Sequence, residues 1–234
     1  MQALLRFLGY ACAIVCLVLL LLSGPLYQLE LVSFGLILKM LKIVVPIGLA
    51  AILLLLIARL TGAVKNRAIF LMIILAAVLY LPISNALTVK SLPYIHDITT
   101  DTTNTPAFSE IMMAARSEAR NPPEYLAGEV TEKQQEAYPD IQPLLLEADL
   151  ATSLERVRAT VNKMGWDLVS DKNDRIEATD TSFWFGFKDD VIIRLQSAGD
   201  KTRIDMRSKS RIGESDIGAN ANRIRSFFKA LQSN

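Results

Sequence analysis

The sequence predicts an α+β protein in which three N-terminal transmembrane helices precede an antiparallel sheet of about four strands, covered on one face by two helices. Two observations support this fold class. Residues 1–86 carry few acids and long runs of Leu, Ile, Val and Ala, whereas almost all acidic residues follow His96. Beyond residue 144, two amphipathic helical patterns enclose alternating segments separated by short turns, which is typical of an antiparallel sheet with one buried face.

Composition agrees with a division into a membrane part and a soluble part. A net charge of +1 with 51% hydrophobic residues is unusual for one soluble domain of 234 residues unless the apolar residues are concentrated. We therefore expect a membrane domain over 1–89, an ordered connector over 90–143 and a compact α+β domain over 144–234.

Three apolar runs have about the length that spans a bilayer at 1.5 Å per residue, namely about 4–22, 36–58 and 68–87. A cleaved signal peptide is the alternative for the first run. The run is long, however, and the "SGPLYQ" that follows lacks an obvious small-x-small cleavage site, which favours a retained helix. Starting the second span near Leu36 lets Lys39 and Lys42 reach the headgroups.

Basic residues predict the orientation. Arg59, Lys65 and Arg67 crowd the loop between the second and third spans, and Arg6 flanks the first, which places these regions in the cytoplasm. Residues 88–234 are then outside a bacterial inner membrane, in the periplasm if the source is Gram-negative.

The soluble elements follow from periodicity and turn residues. Apolar residues at helical spacing predict a helix over 106–120 in the connector, ended by Pro122 and Pro123. A helix over 150–164 has a capping box formed by Thr152 and Glu155, and Gly165 ends it. Strands are predicted over 166–170, 175–185, 190–196 and 202–211, and a last helix over 216–231.

The last strand, "KTRIDMRSKSR", predicts a cationic stripe because alternate residues of a strand face the same side. Its basic side chains share a face with Arg194 of the preceding strand. A solvated face with cross-strand ion pairs is one interpretation, and an anion site is the other. Nucleic acid is not expected as a partner, since the domain is not net basic and faces away from the cytoplasm. The predicted ligand-binding residues are Arg194, Arg203, Arg207, Lys209, Arg211, Ser215, Asp216, Asn220 and Arg223.

The last four of these lie at the start of the final helix. Ser215 or Asp216 is expected to cap it, and the free amides of a helix N-terminus can hold a phosphate or carboxylate. An acid at the cap competes for the same amides, which favours a structural role.

The stretch "SLPYIHDITTDTTNTP" contains the weak catalytic candidates His96, Asp97 and Asp101. Neighbouring residues of an extended chain point to opposite sides, so His96 and Asp97 would not readily share a metal, and no metal or cofactor is predicted. The alternative hypothesis is an acidic connector whose Asp97 or Asp101 lies near Arg203, Arg207 or Arg211.

The aromatic group Phe183, Trp184, Phe185 and Phe187 also allows two interpretations. Core packing is favoured. The alternative is a loop that enters the membrane interface or grips a partner or lipid.

Four segments carry a family resemblance: "YIHDITTDTTNTPAF", "GWDLV", "RIEATDTSFWFGFKDDVIIRL" and "RIDMRSKSRIGESDIGANANRIRSF". Over roughly 90–230 the chain resembles the bacterial family of domain of unknown function 1499, in the subgroup with preceding membrane spans. The resemblance implies a bacterial envelope protein and no particular activity. One departure is "NTP", where the family pattern has a double proline.

Together these features predict a non-catalytic membrane protein whose external domain binds an envelope protein or an anionic lipid or glycan on the basic sheet face. The alternative is a membrane-anchored hydrolase that uses His96 with Asp97, Asp101 and the arginines of the last strand. The sequence leaves the oligomeric state open.

Overall fold

The computed structural model describes residues 2–172 and 174–233, so Asn173 in the predicted 171–174 turn lies outside the described residues. The chain forms two compact units. The first contains the residues up to Ser91 together with Phe183–Gly186, and the second contains Leu92–Ser182 and the residues from Phe187 onward. Most of the segment predicted as a connector thus folds with the second unit.

The first unit contains the helices α1 (Gln2–Gln28), α2 (Phe34–Leu60) and α3 (Arg67–Thr88). Each is long and apolar enough to cross a membrane, and each extends beyond its predicted span. Pro82 lies inside α3, which membrane helices tolerate.

The three helices meet at Gly48. A Cβ added there would lie 2.8 Å from both Cys16 Sγ on α1 and Leu79 Cδ1 on α3, so glycine lets the helices approach without displacing these side chains. Cys16 is fully buried, and its sulfur donates to the carbonyl of Val44 at 3.5 Å. Its position is that of a small packing residue on a helix face.

The strands of the second unit are β1 (Asp97–Thr99), β2 (Leu144–Leu146), β3 (Asp167–Lys172), β4 (Arg175–Thr181), β5 (Lys188–Ala198) and β6 (Lys201–Ser210). They form a six-stranded antiparallel sheet with the order β1-β6-β5-β4-β3, and β2 also pairs with β6. The four long strands occupy positions close to those predicted. The short strands β1 and β2 are additional: both pair with β6 and come from segments without clear alternation.

Four helices accompany the sheet: α4 (Glu110–Ala115), α5 (Glu129–Ala137), α6 (Leu150–Met164) and α7 (Ala219–Gln232). The prediction of a helix over 106–120 was too long, because the Ser109 side chain accepts the amide N–H of Met112 and caps α4 there. The predicted capping box of α6 was also wrong. Asp149 caps this helix by accepting the amide N–H of Thr152 at 2.8 Å.

Helices α6 and α7 cover one face of the sheet, as the sequence predicts, and enclose the main core with residues such as Val157, Ile193 and Phe227. The opposite face carries α4 and a smaller cluster of Phe108, Met112 and Ile192. Ile192 and Ile193 are neighbours in β5 and therefore lie on opposite faces. Both faces are thus covered.

Candidate functional site

The cationic face of β6 has the predicted alternation, but it is closed to solvent. Arg207 and Lys209 are each 1% exposed, and Arg194 of β5 is 9% exposed. Residues 97–125 cover this face. They supply carboxylates, carbonyl oxygens and an aromatic ring that contact the cations. The expectation of an open basic face was therefore wrong for these residues, and ligand binding by the set remains a prediction.

Asp97 of β1 neutralises the centre of the face. Its carboxylate accepts hydrogen bonds from Arg207 Nε at 2.9 Å, Arg207 Nη2 at 2.8 Å and Lys209 Nζ at 2.7 Å. Backbone carbonyls of Pro106, Pro123 and Glu124 accept further hydrogen bonds from the same two cations. Burial lowers the pKa of Lys209, and the nearby Asp97 opposes that shift.

Asp101 neutralises one end of the face. Its Oδ2 lies 2.9 Å from Arg203 Nη2 and 3.4 Å from Arg194 Nη2, while Oδ1 accepts the amide N–H groups of Thr103 and Asn104. Burial alone would raise the pKa of Asp101, but these amides and guanidiniums hold it below its ordinary value. The hypothesis that the connector's aspartates lie against these arginines is confirmed.

Asp190 of β5, which the sequence analysis did not select, neutralises the other end. It is fully buried, and its carboxylate lies 2.7 Å from Arg211 Nη2 and 3.1 Å from Arg116 Nε. Thr179 Oγ1 donates to it at 2.8 Å. Its alternation with Ile192 and Arg194 places it on this face, so the period-two pattern could have identified it.

Contacts of Phe108 and Glu177 hold the covering residues 97–125 against the sheet. The guanidinium carbons of Arg116 and Arg207 lie 4.9 and 4.8 Å from the centre of the Phe108 ring, within cation–π range. Glu177, which is fully buried on β4, accepts the amide N–H of Ser109 at 2.8 Å and is also bonded to the Ser109 hydroxyl. The cap of α4 is therefore held by the sheet beneath it.

The predicted anion position at the start of α7 is occupied by the protein's own carboxylate. Asp216 accepts the amide N–H groups of Gly218 and Asn220, each at 2.9 Å. Burial raises the pKa of Asp216, and these amides oppose the shift. Ser215 accepts the amide N–H of Ile217 at 3.3 Å instead of a helical amide.

Asn220 and Arg223 of α7 are likewise engaged within the chain. The Asn220 side chain donates to the carbonyl of His96 and to Ser210 Oγ. Arg223 donates to the carboxylates of Asp180 at 2.7 Å and Asp189 at 2.5 Å. These two predicted ligand residues connect α7 to β4, β5, β6 and the residue before β1.

His96 is partly buried and directly precedes β1. Its Nδ1 lies 3.5 Å from the carbonyl oxygen of Glu214, and its Nε2 is buried with no partner among the described residues. Burial and the charge of Lys209 lower the pKa of His96. In the part of the chain that the structure describes, no three His, Cys, Asp or Glu residues are grouped to hold a metal ion.

A groove of about 490 Å³ lies in the second unit beside Arg203. Hydroxyl and carboxamide side chains dominate its lining, including the exposed Gln135 and Gln142 and the partly exposed Thr102. The Arg203 side chain is 41% exposed and forms one wall. The lining residues are Thr100, Asp101, Thr102, Thr103, Gln134, Gln135, Tyr138, Pro139, Ile141, Gln142, Pro143 and Arg203.

Comparison with solved structures finds TTHA0849 from Thermus thermophilus, which is 11% identical over 39% of this chain and 92% of that chain, with a TM-score of 0.24. This likeness carries no argument about function. No curated protein matches the chain. A family model described as "Protein of unknown function (DUF1499)" matches residues 97–231, which is more than half of the chain. The protein therefore belongs to the DUF1499 family of proteins of unknown function.

Proposed function

We propose that this protein is a non-catalytic, membrane-anchored binding protein that presents the groove beside Arg203 to an envelope glycan. The observation that carries the proposal is the lining of the groove, in which hydroxyls and carboxamides both donate and accept hydrogen bonds. A hydroxyl-rich ligand matches this mixture, and Arg203 adds a cation for a carboxylate on an acidic sugar.

The cations of β6 outside the groove are less suited to an external anion, which supports the choice of the groove. Arg207, Lys209 and Arg211 already have carboxylate partners within the chain, so an external anion would have to displace Asp97 or Asp190. Arg203 is more exposed than these three cations. It pairs with Asp101, but 41% of its side chain remains accessible to solvent.

The location follows from the basic loop residues. Arg59, Lys65 and Arg67 favour a cytoplasmic loop between α2 and α3, which puts the second unit outside the cytoplasm of a bacterial cell. An extracytoplasmic domain meets envelope glycans there, which agrees with the ligand class.

The hydrolase alternative receives less support. A carboxylate that acts as a general base needs a free oxygen within reach of the reacting proton. Both oxygens of Asp97 accept hydrogen bonds from buried cations, and Asp101 is engaged by Arg203, Arg194 and two amides.

The test is saturation-transfer NMR with the full chain in lipid nanodiscs. Two soluble probes separate the contributions: the uncharged disaccharide of N-acetylglucosamine, and the acidic disaccharide of N-acetylglucosamine and N-acetylmuramic acid. We expect the acidic probe to bind, and Gln135→Ala and Arg203→Ala each to weaken it about fivefold, the effect of losing roughly 1 kcal/mol of hydrogen bonding.

Arg158→Ala is the matched control. Arg158 is 42% exposed and pairs with Asp171, as Arg203 pairs with Asp101, but it does not line the groove. We expect this variant to bind as the native chain does. Absence of saturation transfer to both sugars, or an equal loss in Arg158→Ala, would overturn the proposal.

A further inference from the structure

We propose that Phe183 and Trp184 insert into the membrane–water interface as part of an aromatic tip, defined as residues 183–186. Residues 183–185 were predicted to continue a strand over 175–185, but β4 ends at Thr181 and Phe183–Gly186 belong to the first unit with the membrane helices. The proposed occupant of the surface around Phe183 is lipid.

Hydrogen bonds fix the tip on the end of α1. Gln28 Nε2 donates to the carbonyl oxygens of Phe183 at 3.0 Å and Trp184 at 2.8 Å. The indole Nε1 of Trp184 donates to Ser23 Oγ at 3.4 Å. The backbone and one ring of the tip are therefore positioned by the last turns of α1.

Gly24 makes this close approach possible. A Cβ at this position would lie 2.2 Å from the carbonyl oxygen of Trp184 and 2.8 Å from its ring atoms Cδ1 and Nε1. Any larger residue would displace the tip, so the glycine in the "SGPLYQ" stretch leaves the space that Trp184 occupies.

Aromatic contacts also join the tip to α2. The rings of Tyr27, Phe34 and Phe185 are arranged edge to face, with centroids 6.1 to 6.4 Å apart. Because α1 ends at Gln28 and α2 begins at Phe34, all these contacts lie at one end of the helix pair.

Exposure points to lipid as the occupant. Phe183 is 92% exposed and Trp184 is 39% exposed beside helices that are long and apolar enough to cross a membrane. Leu29 and Leu31, in the adjoining loop, are 68% and 67% exposed. Aromatic rings at the ends of membrane helices are typical of the interfacial belt, where a ring is partly in hydrocarbon and its polar groups remain near water.

The test uses the full chain in nanodiscs with a Trp166→Phe substitution, which leaves Trp184 as the sole tryptophan, since the sequence has 2. Lipids brominated near the headgroup or near the end of the acyl chain quench tryptophan at different depths. We expect strong quenching by the shallow bromines and weak quenching by the deep ones. Failure of both lipids to quench Trp184 would overturn the proposal, even if a protein crosslinks to the tip.

Two glycine variants make the test specific. Gly24→Ala should displace Trp184, reduce shallow quenching and shift its emission to longer wavelength. Gly35→Ala is the matched control, because Gly35 also lies in a helix of the first unit and has no atom within 4 Å of an added Cβ. Equal quenching in both variants would contradict the close contact of Trp184 with Gly24. Loss of shallow quenching in Gly24→Ala alone would support it.

Discussion

Asp97 and Arg207 form a two-point ion pair that is almost completely enclosed, with Nε–Oδ1 and Nη2–Oδ2 distances of 2.9 and 2.8 Å and side-chain exposures of 4% and 2%. They lie 110 positions apart in the sequence and join β1 to β6. Replacing an entire buried pair by apolar residues is often neutral, but removing one partner leaves the other charge uncompensated. The face that resembled a ligand site in the sequence is thus an internal contact between two segments.

We expect Asp97→Asn to lower the free energy of unfolding by about 3–5 kcal/mol, because it leaves Arg207 and Lys209 buried with reduced charge compensation. Urea unfolding of the full chain in detergent, followed by Trp166 fluorescence in a Trp184→Phe background, measures the change. Asp140→Asn is the control: its partner Arg225 is 39% exposed, so about 1 kcal/mol or less is expected. Similar losses in both variants would contradict the role assigned to Asp97.

Periodicity predicted the strands and main helices because burial repeats along them. The face that includes Ile193 and Leu195 is enclosed by α6 and α7, so its hydrophobic alternation is visible in one segment. The cover of the opposite face could not be derived in the same way. It depends on residues such as Ser109 and Phe108, whose contacts exist only after β4, β5 and β6 have come together in the sheet.

The candidate site shows the same limit. Opposite charge was enough to predict that Asp97 or Asp101 meets the arginines. Opposite charge was not enough to predict that these cations are buried. The backbone carbonyls of Pro106, Pro123 and Glu124 accept hydrogen bonds from them, and a backbone acceptor cannot be recognised from residue type. A basic stripe therefore did not distinguish a ligand site from an internal contact.

Gln134 should be required for the order of β1. It is 2% exposed, and its side chain accepts the Thr99 amide N–H at 3.0 Å and donates to the Thr99 carbonyl at 2.7 Å, as a neighbouring strand would. Gln134→Glu replaces the donor by an acceptor, which leaves the carbonyl unpaired at a cost of about 1–3 kcal/mol. Hydrogen-exchange mass spectrometry should then find faster exchange in peptides that contain Thr99.

The exposed neighbour Gln135 provides the control for that experiment. Gln135→Glu introduces the same charge one position along α5 without touching the Thr99 backbone. Exchange around Thr99 should remain close to that of the native chain. If Gln134→Glu leaves Thr99 as protected as the control does, the strand-like role of Gln134 is wrong.

His96 should make the second unit less stable in mild acid. Burial and Lys209 lower its pKa in the folded chain below the ordinary 6.5, although Asp97, Asp216 and the Glu214 carbonyl oppose the shift. Between the folded pKa and 6.5 the unfolded chain binds more protons, so stability increases with pH in that window and falls as pH decreases below about 6.5.

Unfolding curves of the native chain and of His96→Gln across this range measure the effect. The chain has 1 histidine, so the difference between the two curves isolates its titration from that of the carboxylates. Asp216, whose raised pKa shifts stability with the opposite sign, is present in both chains. Parallel curves between pH 5 and 7, a range about the ordinary histidine value, would contradict the assignment.

The predicted orientation can be tested by labelling introduced cysteines with a membrane-impermeant maleimide in spheroplasts. Lys65→Cys lies in the loop between α2 and α3, and Asp200→Cys lies in the turn between β5 and β6, where both native side chains are exposed. If basic residues hold that loop in the cytoplasm, Asp200→Cys is labelled in intact spheroplasts and Lys65→Cys only after lysis. The native chain supplies the background, because Cys16 is buried and Cys12 is partly buried within α1. The reverse pattern would place the second unit inside the cytoplasm, where an envelope glycan could not reach the groove.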